Sequence, residues 1–457
     1  MPTRAFSVAI LAALVLGSSS VANAQAPPPL LGAMYSHTSL AGCSLENTGI
    51  ARTYHTLGTR RLVRSQLAAM RKAGLSSLRI ILWNMTDDTG QRWGVLPSAG
   101  GRLSEPYRSN LVRFASDVGT AGFTRLTVAF SPQWTNNPIG EYGPNGLIAD
   151  RWDPSKFEEN WSFIADARSL VEPVGPTDTR WDFFQESPPS RYQPAFIVER
   201  MSNQISEMWR RYVRAYGGND VTVSTIAKGP GTEVAVDRLQ HLLDAIRSTG
   251  LGFPTWFEVH GDWTSPDLYQ EMRAIDETLT ANGLTTQPLV VGESSYENAA
   301  TASDVRQFMA TSSRRIDEIY QWWQRTSDGP CYSAPYRADA YLAALGLPPL
   351  PPTASPLPLL PVPTLSAAVS PAGKVVLRDE SGRAVAVLDA GRYRIVVQDR
   401  SRRYGFRLTG PGFQLASGAK FTGRRIWNAE VGLNARYGTV FAYSSELRGT
   451  RTPIVIH

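Results

Sequence analysis

The chain has 457 residues, 42% of them hydrophobic and 19% charged, and a formal net charge of +6. That length is too great for one ordinary core and predicts two folded units, one of them large. The charge excess is mild and contains no Lys/Arg block, so nucleic acid is excluded as a favoured partner.

The first 24 residues read as a secretory signal. Arg4 supplies a positive start, Phe6 to Gly17 is an uncharged apolar run, and Ala22-Asn23-Ala24 has the small-x-small form of a cleavage site. The run is too short for a good membrane span, and no other apolar run is long enough to cross a bilayer. Cleavage near Ala24 would leave about 430 residues. The expectation is a monomer without a membrane span, secreted to the extracellular space or the periplasm.

Residues 25–346 alternate strand-like and helix-like segments. The strand-like runs are LLGAMYS, SSLRIILWN, TRLTVAFS, RWDFFQES, DVTVSTIA, PTWFEVHG, QPLVVGES and EIYQWW. Helical spacing covers Thr59 to Gly74, Asn110 to Gly122, Phe196 to Tyr216, Val234 to Gly250, Leu268 to Gly283 and Ser303 to Arg315. Several helices stop at glycine just before the next strand, which suits a left-handed cap. Eight strands in such alternation predict a (β/α)8 TIM barrel of α/β class rather than an open doubly wound sheet. No glycine-rich phosphate loop follows the first strand. The stretch 136–150, rich in Gly, Pro and Asn, is expected to wall a cleft at the catalytic rim.

Residues 347–364 contain the run LPPLPPTASPLPLLPVP. Proline fixes φ and removes backbone donors, so this segment is expected to be an extended, stiff linker. Residues 365–457 read as short strands separated by turns and predict a small all-β sandwich.

Barrel enzymes carry their reactive groups at the C-terminal ends of strands. The fourth strand ends in Phe184-Gln185-Glu186-Ser187 and the seventh in Gly292-Glu293-Ser294. Strands four and seven face each other across a barrel mouth, so the two glutamates can converge. A converging pair suits glycosidic cleavage, in which one carboxyl donates a proton and the other stays ionised to attack. Glu258 points the same way from deeper inside. Trp83, Trp134 and Trp263 follow other strand ends, where an indole either stacks on a sugar ring or caps the core. Asn84, Gln133 and His37 are candidate hydroxyl partners. The five histidines show no close ligand spacing, and no G-x-S-x-G elbow is present, so a metal centre, a cofactor and a serine nucleophile are not expected.

These strand ends resemble glycoside hydrolase clan A, the cellulase-like (β/α)8 enzymes, over roughly residues 30 to 345. The resemblance implies Glu186 as acid/base, Glu293 as nucleophile and Arg79 as the cation that keeps the nucleophile charged. It also implies Trp322 or Trp323 beneath the sugar at the cleavage point and His260 against the nucleophile. Gln185 stands where the clan usually has asparagine. The expected activity is a retaining double displacement on an extracellular poly- or oligosaccharide, without a cofactor. The competing expectation is a non-catalytic carbohydrate-binding protein on the same scaffold. Cys43 follows the first strand and Cys331 the eighth, neighbours in a closed barrel, so a disulfide across that seam is expected, with two free thiols as the alternative.

In the tail, Gly391 to Ser401 and Phe406 to Gly412 resemble small cupredoxin-like domains of secreted proteins. Copper-binding members need histidines, a cysteine and usually a methionine. The tail has His457 alone of these, so the resemblance implies a domain that binds no copper.

Overall fold

The computed structural model describes residues 27–36, 49–85, 96–132, 138, 142–143, 146–147, 152–184, 189–225, 232–261, 267–294, 299–322, 324–325, 332–333, 338–349, 351–358, 360–388, 391–410, 413–431, 439–444 and 452–456.

The first part is mixed α/β. Its principal strands are β1 (Leu30–Met34), β2 (Ser77–Met85), β3 (Arg125–Pro132), β4 (Asp178–Asp182), β5 (Thr222–Thr225), β6 (Trp256–His260), β7 (Leu289–Ser294) and β8 (Ile316–Gln321). Each is followed by a helix: α1 (Leu57–Lys72), α2 (Tyr107–Thr120), α3 (Pro154–Val171), α4 (Ala195–Tyr216), α5 (Thr232–Arg247), α6 (Leu268–Ala281), α7 (Ala299–Thr311) and α8 (Ala338–Leu345).

Local chemistry sets the helix ends. The Thr56 hydroxyl accepts from Thr59 N at 3.3 Å and opens α1. Asp153 caps α3 from Ser155 N at 2.9 Å, with Pro154 at the first helical position. Gly74 takes φ 87° after α1, so Leu75 N can reach back to Met70 O at 3.0 Å. The apolar stripe of α1, with Val63, Leu67 and Met70, then faces the core.

Neighbouring strands pair in parallel in the order β4-β3-β2-β1-β8-β7-β6-β5. A parallel bridge between Trp181 and Val221, with Trp181 N on Asp220 O at 3.0 Å, joins β4 to β5 and returns the pairing to its start. Alternate residues of each strand therefore face either the helices or the space the strands enclose.

The enclosed face is unusually polar. At the starts of the strands, Glu318 takes an ion pair from Arg125 at 2.7 Å and another from Arg180. The Arg180 guanidinium lies 3.4 Å from the centroid of the Trp256 ring. Above this plug, Tyr320 bonds Glu318, Ser77 and Thr127. Burial and the adjacent Glu318 carboxylate push the Tyr320 phenol up. The small apolar patch of Met34, Ile81 and Ala129 lies nearer the strand ends, with Trp83 and Trp322 against it.

Residues 364–456 form two β-sheets. Strands β9 (Thr364–Val369), β10 (Val375–Arg378), β12 (Gly391–Asp399) and β15 (Gly423–Val431) make one sheet, in the order β10-β9-β12-β15. The other has the order β11-β17-β16-β13-β14, from β11 (Val387–Leu388), β13 (Phe406–Gly410), β14 (Phe413–Ala416), β16 (Thr439–Ser444) and β17 (Thr452–Ile456). Leu365, Val369, Ile395, Val397, Phe406 and Ile454 belong to one core shared between them.

The described residues of 347–363 carry no regular structure, as proline dictates, but they are not suspended in solvent. Leu357 is 3% exposed and belongs to the core of the α/β part. Pro356 lies beside Gly122 and Arg71, at the C-terminal end of α1, while Pro363 shares a groove with Leu57 at its N-terminal end. Seven residues at about 3.1 Å each span roughly 22 Å, which matches the roughly 21 Å rise of α1 from Leu57 to Arg71.

Candidate active site

Arg79 lies at the centre of the enclosed space. It sits on β2 with Ser77, Ile81 and Trp83 on the same face, and its side chain is fully buried. One terminal nitrogen reaches Asp182 at 3.0 Å and Glu258 at 2.9 Å. The other lies 3.6 Å from Glu293 and 3.6 Å from the Met34 sulfur. One cation thus serves three carboxylates, and the two deepest hold it most closely.

Those two differ. Burial, then the charge of Glu258, raises the Asp182 carboxyl to about 7, against the opposing pull of Arg79 and the Phe184 N–H bond at 3.0 Å. Burial alone would raise Glu258 too. Arg79, His260 and the Thr222 hydroxyl at 3.0 Å instead hold it below the usual carboxylate range. The pair titrates as a unit, with its proton favouring Asp182.

Glu293 is the carboxylate nearest the open end. It retains 8% exposure, against none for Asp182 and Glu258. Trp322 Nε1 donates to one of its oxygens at 3.0 Å. His260 Nδ1 lies 3.6 Å from the other, while His260 Nε2 lies 3.3 Å from Glu258. His260 therefore lies between Glu258 and Glu293.

A β-bulge aims Glu293. Register between β6 and β7 runs Glu258 with Val290 and Val259 with Val291, then jumps to His260 with Glu293. Gly292 is the extra residue, and it faces inward: a Cβ there would sit 2.4 Å from Glu258 and 2.9 Å from His260 Nε2. Strict alternation would then turn Glu293 toward the helices. The bulge keeps it on the inner side.

Of the residues expected from sequence, Arg79, His260, Glu293 and Trp322 are brought together, and Trp83 packs beside Trp322 against Met34, Ile81 and Ala129. Asn84 is a correction. It is 1% exposed and its amide donates to Asn160 on α3 at 3.2 Å, because it lies five residues from Arg79 and so on the opposite, helix-facing side of β2. Glu186, Gln185, Trp134, Trp323, Trp263, Gln133, His37, Cys43 and Cys331 lie outside the described residues. Asp182 was not singled out from sequence. The alternation of Asp178, Arg180 and Asp182 along β4 was the available signal. Among the described residues no cluster of His, Cys, Asp and Glu is arranged to hold a metal ion, and no helix is long and apolar enough to cross a membrane.

No family model and no curated protein matches the chain. Similar solved structures include a β-1,4-D-mannanase from Cryptopygus antarcticus, 12% identical over 72% of this chain and 93% of that one, with a TM-score of 0.41. A GH5 xyloglucanase from Bacteroides ovatus is 10% identical over 70% and 75%, also with a TM-score of 0.41. A 2-naphthoyl-CoA reductase is 9% identical with a TM-score of 0.41, and the match spans 64% of this chain but under half, 47%, of the reductase. At these values the functional reading rests on the chain's own residues.

Proposed function

We propose that the chain is a secreted, retaining glycoside hydrolase whose α/β part is an eight-fold barrel and whose nucleophile is Glu293. The observation that carries this reading is the setting of the Glu293 carboxylate. It ends a strand at the open side, is held by Trp322 Nε1 at 3.0 Å, and stands over a buried arginine. A carboxylate so held is oriented before substrate arrives.

In the proposed reaction Glu293 attacks the anomeric carbon as Glu186 donates a proton to the departing oxygen. The glycosyl–Glu293 ester is then hydrolysed by a water that Glu186 deprotonates. Trp322 holds one carboxylate oxygen while Arg79 and His260 lie 3.6 Å from the other, so the carboxylate is positioned from both sides. The substrate is a poly- or oligosaccharide outside the cytoplasm, and the reaction uses no cofactor.

The test is Glu293→Ala assayed on a panel of activated aryl glycosides. Turnover should fall by about 10⁴-fold or more, as for loss of a covalent nucleophile. Undiminished turnover overturns the assignment. Glycan binding by the unaltered protein without cleavage of any substrate favours the carbohydrate-binding alternative.

A further inference from the structure

The two parts of the chain carry opposite charge. Residues 365–457 hold 15 Lys and Arg against 6 Asp and Glu, while residues 1–364 hold 31 against 34. The positive excess of the whole protein therefore comes entirely from its β-sheet portion.

Part of that charge is laid out on one flat face. On β12, Tyr393, Ile395 and Val397 point into the core, which leaves Arg392, Arg394, Val396 and Gln398 outward. Register places Asn428 beside Arg394, Ile426 beside Val396 and Arg424 beside Gln398 on β15. On the other side, β9 contributes the small residues Ser366 and Ala368, with Arg378 beyond Ser366 on β10. Arg378, Arg394, Arg424, Gln398 and Asn428 are exposed, and Ile426 is 42% exposed. Neither Arg394 nor Arg424 forms an ion pair with another described residue.

We propose that this outer sheet face binds a carboxylated polysaccharide, a polyuronate chain. The three arginines are roughly 12 to 16 Å apart by strand geometry. A chain of several sugar rings bridges that spacing, and one small anion does not. Guanidinium groups bind carboxylates through paired hydrogen bonds, and the side-chain amides of Gln398 and Asn428 suit sugar hydroxyls. The surface lacks the aromatic platform that single-stranded nucleic acid needs: Trp427 packs toward the core, 6.0 Å from Phe406. A flat sheet with one exposed isoleucine also lacks the apolar wedge of a membrane-inserting helix.

Arg61, in the second turn of α1, donates to Arg392 O at 3.1 Å. The first residues of β12 therefore touch the helix that follows β1. The inference extends the glycosidase reading to its substrate class. It is tested by binding alone, so its failure leaves that reading intact.

The full chain carrying Glu293→Gln is run in affinity electrophoresis against polygalacturonate and against the same polymer with its carboxyls methyl-esterified. Retention is expected on the acid form only. Arg394→Gln with Arg424→Gln should weaken it at least about tenfold, the loss of two charge-assisted contacts. Lys374→Gln with Lys420→Gln removes equal charge from other exposed positions and should change it little. Equal retention on the ester, equal weakening by the lysine pair, or equally tight binding of DNA or anionic phosphatidylserine vesicles overturns the proposal.

Discussion

Arg79 carries one positive charge against three carboxylates, so the protonation of Asp182 affects the stability of the site. Its folded-state value of about 7 lies above the ordinary carboxylate value. A proton held more tightly in the fold stabilises it at acid pH, and that contribution is lost as pH rises through about 7. Glu258 has the opposite sign: its stabilising charge is present above the ordinary carboxylate range and is lost in acid. Asp182→Asn supplies an uncharged group at every pH. Its stability relative to the unaltered protein should therefore rise between pH 5 and pH 8, by at most about 1.4 kcal/mol per pH unit. Urea unfolding at several pH values measures this, and parallel pH profiles for the two proteins would refute the assigned proton. Glu293 was readable because it ends an apolar strand, and Arg79 through the family resemblance of its segment. The sequence did not expose the sharing of Arg79, because Asp182 and Glu258 lie 103 and 179 positions away and meet it only once the strands pair.

At the scale of the strand, alternation explains both the correct placements and the error. The period of two correctly sends Arg79, Trp83, Glu258 and His260 to the enclosed side, and the same period assigns Asn84 to the helices. Glu293 is the exception, since Gly292 beside it already faces inward and only a bulge leaves both there. Nothing in Val-Gly-Glu-Ser announces a bulge except the glycine itself. Gly292→Ala tests this directly. Its methyl would meet the Glu258 carboxylate at 2.4 Å, within an ion cluster that cannot yield cheaply. The expected result is a destabilisation of about 1–3 kcal/mol, the usual cost of overpacking. Turnover should fall about 100-fold, the cost of a displacement near 1 Å. An alanine variant with unaltered melting temperature and turnover would show that the bulge does not position the nucleophile.

Across the whole molecule, the proline-rich segment joins two cores of different kind. Its stiffness was readable from composition, but its docking was not, because a Pro/Leu tract has no periodicity to show which leucine faces the protein. Among the described residues of the segment, Leu357 is buried in the α/β core and Leu347 packs against it, and the segment then follows α1 toward its N-terminal end. Two lengths of chain separate this strap from a plain spacer. A protein ending at Pro363 lacks the β-sheets, which have their own core, but keeps Leu357. A protein ending at Gly346 loses both. The shorter chain should be less stable in urea by about 2 kcal/mol, the worth of one buried leucine, and Leu357→Ala in the longer chain should reproduce most of the difference. Equal stability of the two truncated proteins would mean that the segment only tethers.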